Sequence, residues 1–218
     1  MKVAIAGGHG KIALRLTRLL YESGHAVRSL IRDPGQSEDV RAAGAEPVLL
    51  DLESAGPDEL AETIDGVDAV VFAAGAGAGS GAARKETVDY GGAVKLIEAA
   101  KTKGIRRYVM VSSRGADASL EGDETFAVYL RAKGRADDEL IKSGLDYTIV
   151  RPTGLTEEPG DGTVRIAERV ERGSVSRDDV AAVIGASLDD PLTIGKVFGV
   201  TGGDKPIHEA IHSYATTA

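Results

Sequence analysis

The stretch "KVAIAGGHGKIALRLTRLLYESG", residues 2–24, decides the fold. Its first five residues are a short apolar run that reads as a strand. KIALRLTRLLYE, residues 11–22, reads as an amphipathic helix in which Ile12, Leu16, Leu19 and Leu20 form one apolar stripe and the arginines mostly point away. Between the two, Gly7, Gly10 and Ala13 stand at the G-x-x-G-x-x-G/A spacing. Gly7 allows a tight turn, Gly10 lets a pyrophosphate approach the backbone N–H groups of a helix N-terminus, and Ala13 permits close helix–strand packing. Gly7, Gly8, His9, Gly10, Lys11 and Ile12 are therefore the candidate phosphate-binding residues, with a merely structural βα turn as the other reading.

The same cycle recurs outward from this stretch. AVRSLI (26–31), PVLLD (47–51), DAVVFAA (68–74), RYVMVS (107–112), DYTIVR (146–151) and KVFGV (196–200) are apolar runs of the kind expected for strands covered on both faces. Gly24, Gly44, Gly104 and Gly144 each close a helix-like segment just before a strand, where a left-handed residue turns the chain back. Strands alternating with helices imply a doubly wound α/β fold, a parallel sheet in a three-layer α/β/α arrangement, expected as one domain over residues 1–218. Segment 153–175 breaks the rhythm and reads as a long loop with one short strand at TVRIA (163–167). A separate substrate domain does not fit in what is left, only a short C-terminal substrate-cleft region.

Composition excludes several classes of function. A formal net charge of −8 argues against nucleic acid and anionic membrane as partners, since phosphate surfaces repel such a chain on average. The chain has no Cys, so disulfides and thiolate metal sites are out, and any redox chemistry has to come from a bound cofactor. His208 and His212 are the one histidine pair at i, i+4 spacing, and they read as a solvated helix face rather than a metal site. The first strand begins at Lys2 and no apolar run approaches the roughly 20 residues that span a bilayer, so a cytoplasmic protein is expected.

The second strand ends in "SLIRDP". An acidic residue there would hydrogen-bond the adenine ribose of NAD, but Arg32 reaches the place first, and a guanidinium suits a 2′-phosphate. NADP(H) is the expected cofactor, and Asp33 is the residue that argues for NAD(H) instead. Asp51 and Leu52 follow the third strand, where adenine is expected, and Asp51 also reads as a turn cap. The fourth strand delivers Ala73, Ala74 and Gly75, small enough for close backbone approach to a cofactor.

Ser112 and Ser113 end the fifth strand, so their hydroxyls emerge at the sheet edge where α/β ligands bind. Tyr129 and Lys133 sit on one face of the next helix, four residues apart. An ammonium favours the phenolate form of a nearby Tyr, which suits Tyr129 to hand a proton to a substrate oxygen anchored by the Ser hydroxyl. The other reading of Tyr129 is a partly buried helix residue without a catalytic role.

In the order in which they occur, "IAGGHGKIA", "LIRDP", "LLDLE", "VVFAAGAG", "TVDYGGAVKLIEAAKTKGIRRYVMVSS", "YLRAKGRADDELIKSGLDYTIVRPTGL", "SRDDVAAVI" and "IGKVFGV" resemble the short-chain dehydrogenase/reductase superfamily, in its atypical NAD(P)H-binding branch related to epimerase/dehydratase proteins. The resemblance implies a Rossmann-like fold, Lys133 on the nicotinamide ribose, and contacts near the nicotinamide from Pro152, Thr153 and Gly154 of the "RPTG" loop. Of the two serines, Ser113 is the expected catalytic hydroxyl. Asp89 stands where the family usually has Asn, which leaves it as either a helix cap or an altered proton relay to Lys133. The short C-terminal region favours a reductase of a small carbonyl or quinone-like substrate over an epimerase/dehydratase with a nucleotide-linked one. A non-catalytic NADP(H) sensor is the reading from another class. Specificity is expected in loops 75–86, 114–125 and 154–176, where Phe126 and Tyr90 are the nearest aromatics and offer a flat substrate no evident platform. The acidic run at 137–139 reads as a solvated helix face, and the protein as a monomer or homodimer.

Overall fold

The computed structural model describes residues 1–77 and 79–217. Eleven strands and eight α-helices are described. Seven strands form the parallel body of the sheet: β1 (Lys2–Ala6), β2 (Ala26–Ile31), β3 (Ala45–Leu49), β4 (Ala69–Phe72), β5 (Arg107–Val111), β6 (Asp146–Pro152) and β10 (Lys196–Gly202). With β8 (Thr163–Ala167) and β11 (Lys205–Pro206) the spatial order is β11-β8-β10-β6-β5-β4-β1-β2-β3. The order reverses between β1 and β4, which opens a crevice at the carboxyl ends of those strands.

Alternating strand residues feed two apolar layers. Val3, Ile5, Val71 and Val109 join one layer with α1 (Lys11–Glu22), α7 (Arg177–Asp189) and α8 (Ile207–Thr217). Ala4, Ala6, Val70, Phe72, Tyr108 and Met110 join the other, with α3 (Pro57–Thr63), α5 (Ala93–Thr102) and α6 (Thr125–Lys142). Gly24, Gly44, Gly104 and Gly144 all have the positive φ expected of them, between +69° and +98°.

Several details differ from the sequence reading or add to it. In α1 the buried face is Ala13, Leu16, Thr17 and Leu20, whereas Leu19 is exposed. Leu19 lies one position off the 13/16/17/20 stripe that meets the sheet. The third strand spans 45–49 rather than 47–51. Segment 153–175 is more ordered than a loop: β7 (Gly154–Thr156) pairs parallel with β9 (Ser174–Ser176), and β8 pairs antiparallel with β10. Finally, α4 (Ala82–Arg84) passes into a π-helical stretch, Lys85–Gly92, before α5 begins. Such wide turns are rare and concentrate at functional sites.

Candidate active site

The loop Gly7–Gly10 is built by backbone geometry. Gly7 has φ +79°, and a Cβ there would lie 2.5 Å from the Cα of Ala74, so only glycine lets β1 and β4 approach at the crevice. Gly10 caps α1 without a side chain, and the first turn of α1 carries no acidic residue. Its leading N–H groups therefore face the crevice with neither a capping oxygen nor a repelling carboxylate.

Two cavities meet at Ala73, Ala74 and Gly75. The smaller, about 290 Å³, is lined by Gly7, His9, Gly10, Arg32, Asp51 and Leu52 among others. Asp33 turns its carboxylate onto the N–H of Gly35 at 2.8 Å, capping the short turn that follows β2. Arg32 has no ion-pair partner among the described residues. Asp51 accepts from the N–H of Glu53 at 3.0 Å, so it does cap a turn while still lining this cavity. A second arginine there, Arg84, is gripped by Glu53, whose carboxyl lies below its ordinary range because Arg84 and then Thr87 donate to it. Gly8 and Lys11 line neither cavity. Gly8 is packed on Ser29, and Lys11 reaches Glu157 at 2.7 Å.

The larger cleft, about 1030 Å³, gathers Ile12, Ser112, Ser113, Asp89, Tyr129, Lys133, Pro152, Thr153 and Gly154. Lys133 is buried, its Nζ 3.1 Å from the carbonyl of Val111 and 3.4 Å from Oδ1 of Asp89. Asp89 lies inside the π-helical stretch, so it is not a helix cap. Its Oδ2 accepts from the N–H of Ala76 at 3.1 Å, and its buried Oδ1 receives no hydrogen bond. Tyr129 is half-buried with two ammonium groups near its ring, Lys85 at 5.5 Å and Lys133 at 6.0 Å from the ring centre. Lys85, absent from the sequence reading, is itself buried and donates to the carbonyl of Gly77 at 2.9 Å.

The two serines divide. Ser112 is buried and donates to Oδ2 of Asp137 at 2.8 Å, whereas Ser113 is partly exposed in the cleft with one long contact, 3.4 Å, to the carbonyl of Arg114. Asp137 corrects the reading of the acidic run at 137–139. It is fully buried, and Arg151 Nη2 pairs with it at 2.8 Å. Burial raises its carboxyl above the ordinary range, against the opposing pull of Arg151 and the Ser112 hydroxyl. The signal was available: 129, 133 and 137 are successive i+4 positions, so a face that turns Tyr129 and Lys133 inward turns Asp137 inward too. Tyr90 is also reassigned, since it lies beneath Arg135 at 3.8 Å and does not line the cleft. Phe126 does line it and stacks on Tyr129 at 6.0 Å, a small aromatic ledge that the sequence did not suggest.

One segment of the rim is tied down by charge. Glu157, just past β7, meets Lys11, Arg15 and Arg177, and these cations, Lys11 foremost, hold its carboxyl below the ordinary range. A depressed folded-state pKa contributes stability above the unfolded value and loses it as pH falls through the folded one. The wild-type protein is therefore expected to lose more stability than Glu157→Gln between about pH 6 and pH 3, as read by urea denaturation.

A family model described as NAD(P)H-binding matches residues 7–191, which includes both cavities. The chain belongs to this NAD(P)H-binding family. Within it, the chain is 45% identical to the uncharacterized sugar epimerase YhfK of Bacillus subtilis over 97% of this chain and 99% of that one. It also superposes on a Bacillus halodurans structure named as an NAD-dependent epimerase/dehydratase, with TM-score 0.91, 39% identity and coverage of 98% and 99%. The oxidoreductase ylbE of Lactococcus lactis superposes with TM-score 0.86 at 30% identity, covering 98% and 96%. The NAD(P)H-binding family and the Rossmann-like fold thus agree with the resemblance read from the motifs. No described helix is long and apolar enough to cross a membrane, and no described cluster of His, Asp and Glu could hold a metal ion.

Proposed function

We propose that the protein is an NADP(H)-dependent reductase of a small carbonyl or quinone-like substrate, with Tyr129 as the proton donor. The observation that carries this reading is the placement of the Tyr129 ring beside both Lys85 and Lys133 in a cleft continuous with the glycine loop. The residues fit a dinucleotide. The uncapped first turn of α1 suits a pyrophosphate, and Oδ1 of Asp89, which faces Lys133 at 3.4 Å but accepts no hydrogen bond, suits a ribose hydroxyl. When bound, NADPH supplies a hydride. The chain supplies the rest: Ser113 hydrogen-bonds the substrate oxygen, Tyr129 gives that oxygen a proton, and the buried Lys133–Asp89 pair fixes the floor beneath them. General acid catalysis of this kind contributes roughly 10²- to 10⁴-fold.

Arg32 favours the phosphorylated cofactor, because Asp33 is engaged with Gly35 and Arg84 with Glu53. Arg32→Gln is expected to weaken NADPH binding by about ten- to a hundredfold, measured by fluorescence titration, with NADH affinity changed by less than about threefold. Equal effects on both cofactors would contradict the 2′-phosphate role.

The assay for the activity follows NADPH oxidation against quinones, flavins, aldehydes and ketones. The relatives named as epimerases favour a second reading, in which a substrate is converted with no net oxidation of cofactor. Tight cofactor binding with neither activity would point to a sensor.

A further inference from the structure

The charge of the large cleft runs against that of the chain. The whole sequence has a formal net charge of −8, yet the charged groups lining the cleft are Lys85, Arg114, Lys133, Arg172 and Arg177 against the single carboxylate of Asp89. Asp89 is paired with Lys133, and Arg177 with Glu157. Among the described residues, Lys85 and Arg114 donate only to backbone carbonyls, those of Gly77 at 2.9 Å and Val170 at 3.1 Å. Arg172 is exposed in the lining and has neither a hydrogen bond nor an ion pair among the described residues. Three cations thus face the cleft without a carboxylate partner among the described residues.

Two of the three come from segments held together. Arg114 follows Ser113 after β5, and its Nε grips the carbonyl of Val170, two residues before Arg172. That bond leaves the terminal N–H groups of Arg114 for another acceptor. Neither arginine lines the cavity that contains Gly7, Gly10 and Arg32, so the glycine loop and the 2′-phosphate position are served by other residues. The ledge of Phe126 over Tyr129 adds a flat apolar surface to the same cleft.

Resting on the reductase reading for the reacting group, we propose that the substrate is a planar conjugated carbonyl compound that carries an anionic oxygen group, a carboxylate or a phosphate, and that Arg114 and Arg172 hold this group while the ring lies on Phe126. Guanidinium forks bind both anions through paired, charge-assisted hydrogen bonds, and a partly enclosed cationic cleft concentrates them.

The test is calorimetric titration of the NADP+-loaded protein with benzoate, phenyl phosphate and benzamide, so that the cofactor's own phosphate sites are already filled. At least one anion is expected to bind about tenfold or more tightly than neutral benzamide, and Arg172→Gln and Arg114→Gln each to bring the two within about twofold. Whichever of benzoate and phenyl phosphate binds more tightly assigns the group. Arg172 is exposed, so an unchanged Tm for its variant separates a lost contact from a lost fold. No preference for either anion, a preference that survives Arg172→Gln, or no binding of any probe would overturn the proposal. Turnover of 4-carboxybenzaldehyde and benzaldehyde with NADPH distinguishes the two layers. Anion binding that depends on Arg172, with no turnover, sinks the reductase and keeps the anion site. Equal turnover without an anion preference does the reverse.

Discussion

Tyr129→Phe is expected to lower kcat/KM for NADPH-dependent carbonyl reduction by at least about 100-fold, with NADPH affinity within about threefold of wild type. The substitution removes one oxygen and leaves the ring, so the stacking on Phe126 and the contacts with both ammonium groups persist. A loss confined to kcat marks an interaction made in the transition state, whereas a rise in KM alone marks a binding contact. The flanking lysines refine the expectation. Lys133 is engaged by Asp89 and the carbonyl of Val111, while Lys85 has only the carbonyl of Gly77 among the described residues, so Lys85 is the ammonium beside the Tyr129 ring with no described carboxylate partner. Turnover that is unchanged in Tyr129→Phe would leave a reductase but assign the proton to another group.

Asp137→Ala is expected to reduce the free energy of unfolding by about 3 kcal/mol, with the Tm down by roughly 6–12 °C. Asp137 is fully buried and is the acceptor for both Ser112 and Arg151, so its removal strands a buried hydroxyl and breaks an ion pair that joins α6 to β6. Burial already raises its carboxyl, which means that the ionised form is penalised by the fold and that stability falls as pH rises through the window above the unfolded carboxylate value. Asp137→Asn keeps an acceptor oxygen and is expected to cost less than half as much. A change within about 0.5 kcal/mol for Asp137→Ala, the usual range for a surface position, would show that the residue behaves as part of a solvated face after all.

These two residues also mark what the sequence made legible. The strand, glycine loop and first helix were readable because their determinants are local: an apolar run, glycines at fixed spacing and a 3.6-residue period. Helix 11–22 and strands 2–6 and 26–31 have the expected bounds. Tyr129, Lys133 and Ser113 are nameable because a helix face and a strand end determine where they emerge, Asp89 only through the family resemblance, and all four line one cleft. Asp137 is hidden because an Asp-Asp-Glu run has the composition of a solvated face, and Asp138 and Glu139 are indeed exposed. Lys85 and Arg172 were hidden for another reason. Their positions depend on a π-helical turn and on the β7–β9 pairing, which arise from tertiary packing rather than from any local pattern. Arg114 was equally out of reach, since its orientation is set by the carbonyl of Val170, 56 residues away.

The most direct test of the central claim is to mix the protein with a carbonyl panel and NADPH deuterated at the transferable position of the nicotinamide, and to weigh the products by mass spectrometry. The account predicts an alcohol that carries one deuterium on the former carbonyl carbon, formed with matching loss of NADPH and at least about 100-fold more slowly by Tyr129→Phe. NADPH that binds tightly and stays unoxidised, with no deuterated product from any member of the panel, would contradict it.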